Sequence, residues 1–211
     1  MGQSRALVAM NDPEFFKTLE IHRPDPPLLN QPPRRMVAVD ADLRRWSFEK
    51  ADRNCSDFPG CDFSGCNMRG ADLYAGYFAS ARFIGADLSE AWLVKGEFDH
   101  ADFTVAKLHQ VRAVRASFDE ALLASAEFAD ADVASAWFFG ADLCGARFLR
   151  CDLQHTVFDR AKVRGIDLSG STGIEQISGT DIAIGTDKVP EILTGDTARE
   201  WLRQAAGTPP G

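Results

Sequence analysis

The chain has 211 residues, with 31 acidic against 23 basic side chains and a net charge of −8. That balance disfavours nonspecific binding to nucleic acid, whose phosphates call for a basic surface. No stretch approaches the ~18 apolar residues of a membrane span, and "ALVAM" near the start is too short for the apolar core of a secretory signal, so the expected compartment is the cytoplasm.

Residues 1–40 come first and carry no repeat. "DPEFFKTLEI" is compatible with a short helix, Asp12 as its N-cap and Pro13 at its first position, or with a flexible tail. "RPDPPLLNQPPRR" holds five prolines, which favours extended polyproline-like chain over helix.

From Ala41 to Gly170 one rule holds for 26 units without insertion. A bulky apolar residue stands at every fifth position, from Leu43 and Phe48 to Val163 and Leu168. Only Arg53 and Ala113 break the rule at this centre. The residue two before each centre is small almost throughout, mostly Ala, with Cys61, Cys66, Cys151, Ser56, Gly76 and Gly96 among the rest. Aspartate often stands between the two, as in "ADL" and "CDF". Steps of five turn about 500° on an α-helix and scatter the bulky residues. On a strand they would alternate between faces. A chain that keeps this period must turn a corner in each unit, which indicates a solenoid.

Taking every fourth centre separates four series. One reads Phe58, Phe78, Phe98, Phe118, Phe138, Phe158. The others are Leu43/Phe63/Phe83/Phe103/Leu123/Leu143/Val163, Phe48/Met68/Leu88/Leu108/Phe128/Phe148/Leu168 and Arg53/Leu73/Leu93/Ala113/Val133/Leu153. A series made only of Phe is what a stacked aromatic ladder requires, with coils about 4.8 Å apart. Where Ala113 is the centre, Val111 fills the small site, so volume is conserved. Trp46 and Ile166 are oversized at small sites in the first and last coils. Arg53 is expected to escape through the open end or to pair with an acid.

Beyond the repeat, "TAREWLRQAAG" predicts a helix near 197–206, with Thr197 and Glu200 at capping-box spacing and Gly207 as its stop. Trp201, Leu202 and Ala205 share one face. That face either covers the last coil or serves as a dimer contact.

These units resemble the pentapeptide-repeat family, whose consensus is roughly A-(D/N)-L-x-x, over 130 of 211 residues. The resemblance implies an all-β solenoid: a right-handed quadrilateral β-helix of about six and a half coils, with the centre and the small residue inward and the other three positions outward. At the strand spacing this is a rod of roughly 31 Å. Residues 1–40 are then a non-repeat segment, 41–170 the β-helix and 171–211 a C-terminal cap. Raw solenoid ends need such covering.

No catalytic, cofactor or metal site is expected. The centres and small sites account for Cys61, Cys66 and Cys151, while Cys55 and Cys144 sit outward on different sides. His100, His109 and His155 fall on three sides, and His22 lies in the N-terminal segment. Cys55 and His155 share a side but stand five coils, about 24 Å, apart, too far for a nucleophile–base pair. The Asp of each unit is expected to bond turn backbone.

Function is therefore sought on the surface. The Phe58 side carries six outward acids (Asp57, Glu97, Asp99, Asp119, Glu120, Asp159) against one base, Arg160; the other three sides together hold 14 acids and 14 bases. The same side exposes Tyr77, Trp137 and Phe139. The resemblance adds a specific expectation. Quinolone-resistance members of the family are dimeric rods with an acidic surface that imitates duplex DNA and binds DNA gyrase. The uninterrupted register resembles their loop-free type, and the Pro-rich N-terminus departs from it. The other expectation is a scaffold with an unidentified protein partner, using Tyr77, Trp92, Trp137 and Phe139.

Overall fold

The computed structural model describes residues 42–44, 48–49, 56–186, 188–189 and 191–207. The readings of residues 1–40, Trp46, Arg53 and Cys55 lie outside these residues. Over the repeat the chain is a β-helix. Parallel bridges, one in each five residues, join a residue to the one 20 positions on, from Asp42↔Asp62 through Asp57↔Tyr77 and Trp92↔Arg112 to Asp152↔Thr172. Twenty residues are four pentapeptides, so each coil has four sides. They are numbered here first to fourth from the Leu43, Phe48, Arg53 and Phe58 series. Each side is a strand of minimal length. Among the described repeat residues, β1 (Glu127–Ala129) and β2 (Arg147–Leu149), on the second side, pair in parallel over three residues.

Numbering a unit 1 to 5 with the small residue first, positions 1 and 3 are buried and 2, 4 and 5 face outward, except that Ser89 at position 4 is buried. Backbone accounting explains the composition. The position-1 N–H closes a turn onto the preceding centre (Cys66 to Phe63, 3.0 Å). Position 2 donates to the coil before (Tyr77 to Ser56, 2.8 Å). Positions 3 and 5 donate to the coil after (Phe58 to Tyr77, 2.7 Å; Gly60 to Ala79, 2.9 Å). Only the position-4 N–H is left over, and an aspartate at position 2 accepts it: Ser64 N–H to Asp62 (2.9 Å), Tyr74 to Asp72 (3.0 Å), Thr104 to Asp102 (3.0 Å), Gln154 to Asp152 (3.0 Å). A repeated Asp is thus a turn cap. Asp72→Asn keeps an acceptor and should change stability by less than about 0.5 kcal/mol. Asp72→Ala frees the Tyr74 N–H and should cost about 1 kcal/mol in urea unfolding.

The core is two phenylalanines per coil. The fourth-side ladder stacks throughout, with centroids 5.5, 5.1, 5.2, 5.0 and 5.4 Å apart from Phe58 to Phe158. Its companion begins on the first side, Phe63–Phe83–Phe103 at 5.1 and 4.6 Å. It then moves to the second side, Phe128–Phe148 at 4.4 Å, where Leu123 and Leu143 replace it on the first. The exchange keeps each coil's volume nearly constant. Rings of neighbouring ladders meet edge to face, as Phe98 and Phe103 do at 5.6 Å and 69°. At Gly76 and Gly96 an added Cβ would lie 2.5 Å from the ring of Phe78 or Phe98, so these rings would have to shift to admit the alanine that stands at Ala116 and Ala136 in the same ladder.

Coil pairing continues past Gly170. A 3₁₀ turn at Ile174–Gln176 adds one residue, and the bridges resume with a step of 21 at Val157↔Ser178 and Lys162↔Ala183. Gly173 makes this possible: its φ is +79°, and a Cβ would meet the Gln154 backbone N at 2.4 Å. β3 (Asp181–Ala183) then pairs antiparallel with β4 (Ile192–Thr194), which runs directly into α1 (Gly195–Gly207).

The helix begins before Thr197, and the expected capping box is absent. The chain turns into α1 at Gly195, φ +53°, so Thr197 is already inside the first turn. Its hydroxyl donates back to the Thr194 carbonyl (2.7 Å), while Glu200 accepts from Arg203 and Gln204. Ala198 and Leu202 are buried, with Trp201 and Ala205 partly buried against the same core. This face lies on the last coil. The Leu202 methyl closes over Gly179, which sits next to Phe158 at the end of the ladder. Arg203 holds the helix to the 3₁₀ turn through a fork to Glu175 (3.0 and 2.9 Å).

Candidate protein-interaction face

The fourth side presents three outward columns. At position 2 run Asp57, Tyr77, Glu97, Ser117 and Trp137, joined by successive bridges. Position 4 supplies Asp99, Asp119, Phe139 and Asp159, and position 5 His100, Glu120 and Arg160. One coil's rise separates neighbours in a column, so Asp99 and Asp119 stack about 4.8 Å apart along the axis.

The six acids do not form one continuous strip. Glu97, Asp99, Asp119 and Glu120 occupy two successive coils. Asp57 stands two coils from Glu97, with Tyr77 between. Asp159 is turned to structural use: it accepts from the hydroxyls of Ser178 and Thr180 and from the Thr180 N–H (2.9 Å). Burial opposes its ionisation, but these donors outweigh burial and hold its carboxyl below the usual range. Asp119 shows the opposite. Burial pushes its carboxyl up, Asp99 and Glu120 add to this, and the Phe139 N–H at 3.1 Å only partly offsets them. Asp99 accepts from the Ser117 hydroxyl, and Glu120 lies 3.4 Å from His100 Nδ1.

Because the folded pKa of Asp159 is depressed, its contribution is present above the ordinary carboxylate pKa and is lost as pH falls through the folded value. Glu175, held low by Arg203, acts in the same direction. Protection factors of residues 172–183, taken against the intrinsic exchange rate at each pH, should therefore fall between about pH 5 and pH 3 before those of the central coils, and Asp159→Asn should flatten that step.

The aromatic residues frame the acids. Tyr77 is 41% and Trp137 54% exposed, while Phe139 is half-buried beneath Arg160, whose guanidinium lies 5.3 Å from its ring. The third side carries a second cluster that charge counting by side conceals. Arg112 covers the Trp92 ring at 4.5 Å, and Lys95 donates to the Tyr74 hydroxyl at 3.2 Å. Each pair is 20 or 21 residues apart, so the coil period was the signal that could have found them.

Among the described residues the histidines and cysteines singled out above do not come together. His109 pairs with Glu127 (3.0 Å) and His100 with Glu120, on different sides. Burial pushes the Cys151 thiol up to about 12 and raises that of Cys144, where Asp142 adds to it, so neither is a ready thiolate. Among the described residues no group of three His, Cys, Asp or Glu could hold a metal ion, and no helix is long and apolar enough to cross a membrane.

The model of the family of pentapeptide repeats matches residues 41–78, 81–118 and 136–172, as eight copies. The chain belongs to the pentapeptide-repeat family. A search of curated proteins finds no match. Among solved structures, the chain is similar to HetL, a pentapeptide-repeat protein involved in heterocyst differentiation regulation in the cyanobacterium Nostoc. The two share 22% identity over 68% of this chain and 69% of HetL, with a TM-score of 0.35. Full-length QnrB1, a plasmid-mediated fluoroquinolone resistance protein, shares 18% over 72% and 92% of the two chains, TM-score 0.30. A pentapeptide-repeat protein of the Arabidopsis thaliana thylakoid lumen shares 19% over 78% and 89%, TM-score 0.31. Likenesses of this size say nothing about activity.

Proposed function

We propose that this pentapeptide-repeat protein is a non-enzymatic interaction solenoid of the cytoplasm. Its fourth side is the contact surface and acts as a partial mimic of duplex DNA toward DNA gyrase or a related topoisomerase. The carrying observation is the grouping of Glu97, Asp99, Asp119 and Glu120 on two successive coils between exposed Tyr77 and Trp137. The chain offers about one acid per 4 Å along the full side, against one charge per ~1.7 Å in duplex DNA, so the imitation is local. Protection of gyrase against its poisons would follow from competition for its DNA-binding surface.

The withdrawal of Asp159 into the cap favours a second reading, in which the same surface is a compact protein contact with a partner that does not bind DNA. Immobilised gyrase distinguishes the two. On the first reading Glu97→Lys/Asp99→Lys, at outward positions, should weaken binding at least tenfold with an unchanged circular dichroism spectrum. Binding of both forms with equal affinity, or of neither, would leave only the second reading.

A further inference from the structure

The third side, one corner from the acidic group, carries cations that this function does not use. Lys95, Arg112 and Arg115 have no carboxylate partner among the described residues. The second side differs, since its Arg69 pairs with Asp87 and Glu90, Arg147 with Glu127 and Arg150 with Asp130. Arg112 instead lies on Trp92, which is 41% exposed. A guanidinium held flat on a ring keeps its N–H edges free for a carboxylate fork.

We propose that this cluster is a docking surface for the acidic fourth side of a second copy of the same chain. The two patches match in register. In two rods lying parallel, the backbones circulate in the same sense, so they run in opposite directions where the faces meet. Position 2 of one face then opposes positions 4 and 5 of the other. Arg112 at position 2 meets Asp119 and Glu120, and Lys95 at position 5 meets Glu97. The first three share one coil, and Lys95 and Glu97 share the coil before it, so no axial shift is needed. Both patches also repeat at the same strand spacing of about 4.8 Å.

The contact is heterologous, and its closure follows from the four-sided coil. Adjacent sides stand about 90° apart, so each copy is turned a quarter relative to its neighbour and four copies close a ring. In that ring every acidic group is covered by a basic one, so self-association and binding of another partner through the fourth side exclude each other.

Sedimentation velocity of the purified full chain tests this independently of gyrase. At low ionic strength, about 20 mM, mass should rise with concentration toward four times the monomer, and the association should be lost near ~500 mM salt. Lys95→Glu/Arg112→Glu and Glu97→Lys/Glu120→Lys should each be monomeric. Mixed together they should associate again, because each now supplies the charge the other lacks. All four positions are exposed, and circular dichroism checks that both variants fold. A monomer at every concentration, an oligomer indifferent to both reversals, or a mixture of folded variants that stays monomeric would overturn the proposal.

Discussion

Phe118→Ala should destabilise the rod by about 3–5 kcal/mol. Phe118 stacks between Phe98 (5.2 Å) and Phe138 (5.0 Å) and meets Phe103 (5.5 Å) and Phe128 (6.4 Å) edge-on. It is the ring at which the companion ladder crosses from the first side to the second. Truncation there removes the contacts of both ladders at once and leaves a cavity between coils that are tied by backbone bonds and cannot collapse. Urea unfolding should show the whole loss. A cost below about 1 kcal/mol would mean that the ladders are not the principal core.

Leu202→Ala should cost about 2–5 kcal/mol, but locally. In a solenoid each coil is stabilised chiefly by its neighbours, so loss of a cap frays the end it covers. Amide exchange should rise in α1 and through residues 163–183, while the coils around Phe98 stay protected. Uniform acceleration along the rod would show that the C-terminal segment is not a cap but part of one cooperative unit.

Much of this architecture was legible from one number, the period of five. Once Leu143, Phe148, Leu153 and Phe158 forbid helix and strand alike, a solenoid follows, the resemblance to the pentapeptide-repeat family supplies the inward positions, and the step of 20 separates the Phe58 series. The same arithmetic failed where the chain inserts a residue. The unit after Gly170 loses register at Gly173, so pairing of Ser178 and Ala183 with the coil below could not be read by counting. The start of α1 differs from the expected one for a related reason. Thr197 and Glu200 have the spacing of a capping box, but β4 ends at Thr194, and the corner falls to Gly195. On the surface, composition gave the six acids of the fourth side. It could not show that Asp159 serves the Ser178–Thr180 turn, because that contact crosses the shifted register. Nor did totals by side reveal the cations at Lys95, Arg112 and Arg115, which Asp72, Asp132 and Asp152 balance numerically elsewhere on the third side.

That Glu97, Asp99 and their neighbours form the partner-binding surface is tested most directly by a gyrase supercoiling titration with and without a quinolone. Inhibition or rescue by the wild-type chain at micromolar concentration, weakened at least tenfold by Glu97→Lys/Asp99→Lys, is the result expected. The absence both of inhibition without the quinolone and of rescue with it at tens of micromolar protein, an affinity weaker than about −7 kcal/mol, or an effect that the reversal leaves unchanged, would contradict it.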